Sequence, residues 1–207
     1  MLFRSGIGWE GDEGRSDVKS VCGDYPAVIS FDLGHIELGD TMSLDKVPFT
    51  KIRKEILNQY KRGGMSSLSW HLRNPLTGGD SWDVSDTTVV KSILPGGANH
   101  EKFTGWVSKV SAFINSLQTE EGVKVPVLFR PWHEHTGSWF WWGEKLCTPE
   151  EYKALWHMTV DILRNDGVDN ALYAYSPGSE PQDTAQYLKR YPGDELIDQI
   201  GRASCRE

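Results

Sequence analysis

Short β-rich runs that each stop at a polar residue, separated by stretches of helical periodicity, constrain this chain more than any other feature. Ala27 to Phe31 ends on Asp32. Pro48 to Arg62 follows, with Phe49, Ile52, Ile56, Leu57 and Tyr60 spaced for one helical face and Gly63-Gly64 as the stop. Met65 to Trp70 predicts a second strand, reaching His71. The connection from Leu72 to Asn99 exceeds ordinary loop length, and loops that long are usually functional. Glu101 to Gln118 predicts a helix with Phe103, Trp106, Val107, Val110, Phe113, Ile114 and Leu117 on one face. Val125 to Phe129 predicts a third strand, with Arg130-Pro131-Trp132-His133-Glu134-His135 at its end. Thr148-Pro149-Glu150-Glu151 places a cap, an N1 proline and early acids in the order of a helix start, and that helix runs to about Arg164. Ala171 to Ser176 and Leu196 to Ile200 are the fourth and fifth strands.

Alternation of this kind specifies a parallel α/β domain. The runs at 27–32, 65–70, 125–130 and 171–176 are therefore expected to be adjacent parallel strands in that order. Asp32, His71, Arg130 to His135 and Ser176 all fall at strand ends. Such ends converge on the active face of a (β/α)8 barrel, and a doubly wound sheet also binds ligands there. No glycine-rich phosphate motif follows any strand, which speaks against a nucleotide.

A chain of 207 residues holds one domain with a real core. Its net charge of −7 disfavours nucleic acid and anionic membranes as partners, and no apolar run is long enough to span a bilayer. Nine Trp beside seven Tyr and seven Phe suggest a cleft lined with rings. The three cysteines, Cys22, Cys147 and Cys205, make no CxxC spacing. Cys22 and Cys147 could meet on the loop face and pair, or all three could be free.

The segment from Arg130 to Gly143 is the densest in chemistry. It places Glu134 between two histidines and ahead of Trp139, Phe140, Trp141 and Trp142. Sugar rings stack their apolar faces on indole, and glycoside hydrolysis needs a carboxylic acid to protonate the leaving oxygen. Two plainer readings stand beside this one. His133 and His135 could be metal ligands on one strand face, although no third ligand has a characteristic spacing. The aromatic run could be core, although four consecutive rings cannot all point inward.

The same segment resembles the acid/base motif of glycoside hydrolase family 26, the retaining β-mannanases of clan A. The resemblance continues through Gly23-Asp24-Tyr25-Pro26, Asp32-Leu33-Gly34-His35, Ser69-Trp70-His71 and Asn74 to Gly79. It takes in Tyr173 to Pro177 and Tyr191 to Glu195, and so reaches about Gly201. It implies an α/β fold of the (β/α)8 TIM barrel type and a double-displacement hydrolysis of β-1,4-mannosidic bonds. Glu134 would be the proton donor, with His71, His133 and Trp139 binding substrate, and Trp82, Trp142 and Tyr175 as weaker carry-overs. Alternatively, His71 is a strand-end residue held by backbone and His133 only orients Glu134. Trp82 and Tyr175 are then structural.

The implied barrel takes about 250 residues. The chain is therefore expected to hold about strands 2 to 6 and to lack the later strand-end Glu that serves the family as nucleophile. Residues 1–201 are expected to be a partial catalytic domain, with 5–14 as the loop after an absent first strand. Residues 202–207 are expected to be a non-native tail, and Cys205 has no assigned function. No cofactor and no metal are implied. The expected partner is a β-mannan or related polysaccharide. A polymer of that kind would be met outside the cytoplasm, extracellularly or at the periplasm or cell surface, although no signal peptide is visible. The alternatives are a non-catalytic carbohydrate-binding fragment, or a relative acting on another β-glycan.

Overall fold

The computed structural model describes residues 14 and 16–201. Apart from Gly14, the loop expected at 5–14 lies outside the described residues, as do the expected tail and Cys205. In chain order the elements are α1 (Asp17–Cys22), β1 (Val28–Asp32), α2 (Phe49–Lys61), β2 (Met65–Ser69), α3 (Val89–Ile93) and α4 (His100–Asn115). They continue with β3 (Val127–Arg130), α5 (Pro149–Asn165), β4 (Ala171–Tyr175), α6 (Thr184–Leu188) and β5 (Gln199–Ile200). Single 3-10 turns occupy Ile36–Leu38 and Asp194–Leu196.

The strands form one sheet in the order β1-β2-β3-β4-β5, and every neighbouring pair is parallel. Parallel neighbours need crossovers, and helices supply them. Register sorts the side chains into two faces. Ile29, Phe31, Leu68, Val127, Phe129 and Tyr173 are buried and belong to the core cluster shared with the helices. On the other face, Val28 lies beside Met65, and Leu172 beside Leu128. Val28, Met65 and Leu172 stay 55%, 42% and 40% exposed. This second face is the one that points into the lumen of a closed barrel.

The helices follow from their sequence patterns. In α4 the spacing of Phe103, Val107, Val110 and Ile114 puts all four in the core, each burial being worth about 1.5–3 kcal/mol. At the start of α5, the Thr148 side chain accepts from Glu151 N–H while the Glu151 carboxylate accepts from Thr148 N–H, with Pro149 at the first position. This cap fixes where the loop after β3 must end.

Three details differ from expectation. β3 begins at Val127 because Val125 N–H is already bonded to Leu117 O, across a tight antiparallel bridge between Gln118 and Lys124. β5 is limited to Gln199–Ile200, and residues 194–196 wind into a 3-10 turn instead. Asp198 fastens that junction by giving its N–H to Tyr173 O and accepting Tyr173 N–H on its carboxylate. The long connection after β2 holds α3, whose Val89, Val90 and Ile93 are fully buried. The possible Cys22–Cys147 pair is not made, and both thiols are free. Cys22 closes α1 ahead of β1, whereas Cys147 sits past β3 ahead of α5, so they lie at opposite ends of the strands.

Candidate active site

The loop leaving β3 is wound by two residues in the left-handed region, Trp132 at φ 52° and Glu134 at φ 56°. Each such non-glycine residue costs on the order of 1–3 kcal/mol, so the surroundings must hold them there. Glu134 N–H donates to Ser176 O at 2.7 Å, Gly137 N–H donates to Glu134 O at 3.1 Å, and Tyr152 Oη donates to Trp132 O at 2.7 Å. Trp142 Nε1 donates to His133 O at 2.9 Å. With the backbone turned this way, His133 and His135 do not share a face. His133 meets the His71 ring edge-on at 4.5 Å, while His135 packs on Tyr152 at 4.3 Å and Tyr175 at 4.9 Å. Among the described residues, no three His, Cys, Asp or Glu side chains are grouped to hold a metal ion.

On the front of this loop, Glu134 is partly buried and its Oε2 accepts from Trp139 Nε1 at 3.2 Å. Trp139 itself is 40% exposed. Its six-membered ring lies over Gly137, where an added Cβ would come within 2.2 Å of ring carbons, so only glycine admits that approach. Phe140 is the shared floor: it touches His71 at 5.2 Å, His133 at 5.5 Å, Trp82 at 5.3 Å and Trp139 at 6.3 Å. Trp82, on the connection after β2, stacks on His71 at 5.5 Å with 7° between the planes, and is half exposed.

Beneath His71 lies Asp32, at the end of β1. Its Oδ2 is 2.5 Å from His71 Nδ1 and accepts from Ser69 Oγ at 2.7 Å. Its Oδ1 accepts from Gly34 N–H at 2.7 Å and His71 N–H at 3.1 Å. Burial alone would raise the Asp32 pKa, but the hydrogen bonds of His71, Ser69 and the Gly34 amide hold it well below the usual carboxylate range. His71 Nε2 in turn faces His133 Nε2 at 2.9 Å. Burial, then the Arg130 charge and the neighbouring His71, push His133 well below the ordinary histidine value, against weaker pulls from Asp32 and the Arg130 backbone.

Behind the loop stands Arg190, 2% exposed. Its Nη1 donates to His135 O at 2.6 Å and Trp142 O at 3.3 Å. Its Nη2 donates to Cys147 O at 3.0 Å and lies 2.7 Å from the Cys147 sulfur. The guanidinium also covers the Tyr152 ring at 4.3 Å. Burial and then the Arg190 charge press the His135 pKa far down. Burial pushes the Cys147 thiol up to about 11, although Arg190 opposes it.

The structure thus gathers His71, His133, Trp139 and Trp82 around Phe140 past the C-terminal ends of the strands, with Glu134 joined to them through Trp139. Two residues expected there lie elsewhere. Trp142 is fully buried, stacked on Phe140 at 4.5 Å, and Tyr175 is fully buried with its hydroxyl bonded to Tyr187 O. Neither presents a face to a ligand; both pack the loop from behind. Arg190 was not expected as part of the site, and Asp32 and Phe140 were expected only as a strand-end residue and a member of the aromatic run, with no role assigned. Asp32 carried a usable signal, a carboxylate closing a strand just ahead of a glycine that its own side chain binds. At Gly34 an added Cβ would fall 2.9 Å from that carboxylate and 2.7 Å from His71 O.

The profile of the family described as glycosyl hydrolase family 26 matches residues 8–205. The chain belongs to glycosyl hydrolase family 26. A mannan endo-1,4-β-mannosidase of Bifidobacterium adolescentis is 38% identical over 194 residues, covering 90% of this chain and 19% of that protein. A family 26 β-mannanase structure from Bacteroides ovatus superimposes with a TM-score of 0.94 at 64% identity, over 96% of this chain and 58% of the other. A second family 26 structure, from Muricauda, gives 0.86 at 35% identity over 95% of this chain and 55% of the other. The chain thus spans under two thirds of each of these relatives. Its five parallel strands are part of the (β/α)8 barrel of family 26.

Proposed function

We propose that this chain carries the acid/base side of a retaining endo-β-1,4-mannanase active site, with Glu134 as the proton donor. The observation that supports this most is the placement of the Glu134 carboxyl. It follows a strand's C-terminal end and accepts the indole N–H of a half-exposed Trp139, whose neighbour Phe140 touches both His71 and His133. The relatives named as mannan endo-1,4-β-mannosidases point to the substrate.

In this reading the glycosidic oxygen takes the proton of Glu134 as the C–O bond breaks, and a second carboxylate bonds to the anomeric carbon. Glu134, now ionised, removes a proton from water as that water displaces the carboxylate, and so returns to its starting state. Retention needs the two carboxyl groups about 5–5.5 Å apart. The second is assigned to a later strand of the barrel, outside β1 to β5. Trp139 and Trp82 offer faces on which sugar rings stack, and His71 and His133 offer nitrogen atoms to hydroxyls. The substrate class is a mannan-type polysaccharide, and the site of action is outside the cytoplasm, where such polymers occur.

The test is release of reducing sugar from mannan, with cellulose and mixed-linkage glucan in parallel, by this chain and by a barrel completed to its relatives' length. The completed barrel is expected to cleave mannan with retained configuration, and the 207-residue chain to show no turnover. Turnover on glucans alone assigns another β-glycan. Binding to mannan without cleavage by the completed barrel makes this a carbohydrate-binding domain.

A further inference from the structure

We infer that Asp32 is a positioning residue: it keeps a proton on Nδ1 of His71, so that the His71 Nε2 facing His133 is an acceptor, open to the ring of His133 or to the O–H of a substrate hydroxyl. The hydroxyl rests on the function proposed above; the proton rests on the geometry of Asp32.

The hydrogen-bond accounting at Asp32 leaves one arrangement. Oδ1 is taken by two backbone N–H groups, of Gly34 and His71, which can only donate. Oδ2 receives the Ser69 hydroxyl and stands against His71 Nδ1. A carboxylate with no proton of its own needs a donor at that nitrogen, which places the hydrogen on Nδ1. His71 Nε2 is then the atom that meets His133 Nε2, 2.9 Å away. The Trp82 ring stacks on the face of His71, and Phe140 lies edge-on against it.

Asp32→Asn tests this with little change of shape. The two backbone N–H groups claim the amide oxygen, so the amide NH₂ must face Ser69 and His71. An NH₂ donates, and His71 must then surrender the Nδ1 proton and carry it on Nε2 instead. The same reversal explains why an Asp→Asn change disables the histidine of a serine protease triad. Histidine-selective ¹⁵N NMR of the full-length protein reads the change directly. His71 Nδ1 is expected to appear protonated in the wild type and unprotonated in Asp32→Asn. On mannan, kcat should fall about 10–100-fold, as for other carboxylates that orient a functional histidine. Ser69→Ala removes a hydrogen bond from the same carboxylate without reversing His71. It should keep Nδ1 protonated and kcat near wild type, so it separates the proton effect from loosening of the site.

An unprotonated Nδ1 in the wild type overturns the inference even if the Asn variant does not fold. So does an Asn variant whose His71 reverses without loss of kcat on a mannan-active enzyme. Reversal of the His71 signal in a protein that cleaves no β-glycan leaves the Asp32 assignment standing and removes the proposed function instead.

Discussion

The front and the back of the loop between β3 and α5 are built on opposite principles, although His133 and His135 lie only two residues apart. The front is a chain of directed polar contacts, Asp32 to His71 to His133, capped by exposed indoles. The back is a buried guanidinium gripping three carbonyls, with Tyr152, Tyr175 and Trp142 packed around it. The front selects which atoms can touch a ligand; the back decides where the front is. Substitutions in front should therefore change chemistry at nearly constant stability, and substitutions behind should change stability first.

The sharpest separation is expected from Glu134→Gln in the full-length protein. Mannan hydrolysis should fall by about 10²–10⁴, the usual size of acid assistance, with binding retained. An activated aryl mannoside, whose leaving group hardly needs a proton, should lose far less in its first step. Equal losses on both substrates would show that Glu134 is not the acid.

Arg190→Met should show the opposite profile. Hydrogen bonds from a charged donor are worth about 1.5–3 kcal/mol each, and this change strands buried carbonyls of His135, Trp142 and Cys147. A loss of about 3 kcal/mol or more in urea unfolding is expected. An Arg190 variant as stable as wild type would remove the distinction between the two sides.

Acid titration probes both sides together. The folded-state pKa values of His133 and His135 are lowered, so their contribution to stability is complete above the ordinary value of 6.5 and lost as pH falls below it. Each should cost up to about 1.4 kcal/mol per pH unit in that range. The urea midpoint should decline from about pH 6.5 downward, and the slope should be shallower in His135→Gln. Asp32, also lowered, adds its loss only as pH falls below its unfolded value near 3.8.

Smaller effects should follow at the edges. Gly137→Ala pushes the Trp139 ring away from Glu134, which should reduce kcat while costing about 1 kcal/mol or less, because that ring is half exposed and can move. Smallest of all, Cys22→Ser should leave stability and activity unchanged. A thiol reagent should label exposed Cys22 in the native protein long before buried Cys147.

Much of this was legible in the sequence. The strands at 27–32, 65–70 and 171–176 are each shorter by one residue at one end, because alternation and glycine stops are local signals. Glu134, His71 and Trp139 were legible as candidates through the family 26 motifs that hold them. That Trp142 and Tyr175 turn inward was not, since the direction of a ring in a dense aromatic run depends on the left-handed turns at Trp132 and Glu134. Nothing in the local sequence announces positive φ at a tryptophan or a glutamate. Arg190 was equally hidden, because an isolated arginine beyond a short helix gives no hint that its partners lie 55 and 43 residues earlier.

Those separations also order events in time. A bond between residues far apart in sequence forms only after the intervening chain is made and docked, since its loop-closure entropy comes before any gain. At about 5–20 residues per second of synthesis, the segment with Glu134 leaves the ribosome about 3–11 s before Arg190 does. During that interval the loop has its aromatic rings but no fastening, and its two left-handed residues have little reason to hold. The residue that completes the loop thus arrives well after the loop itself.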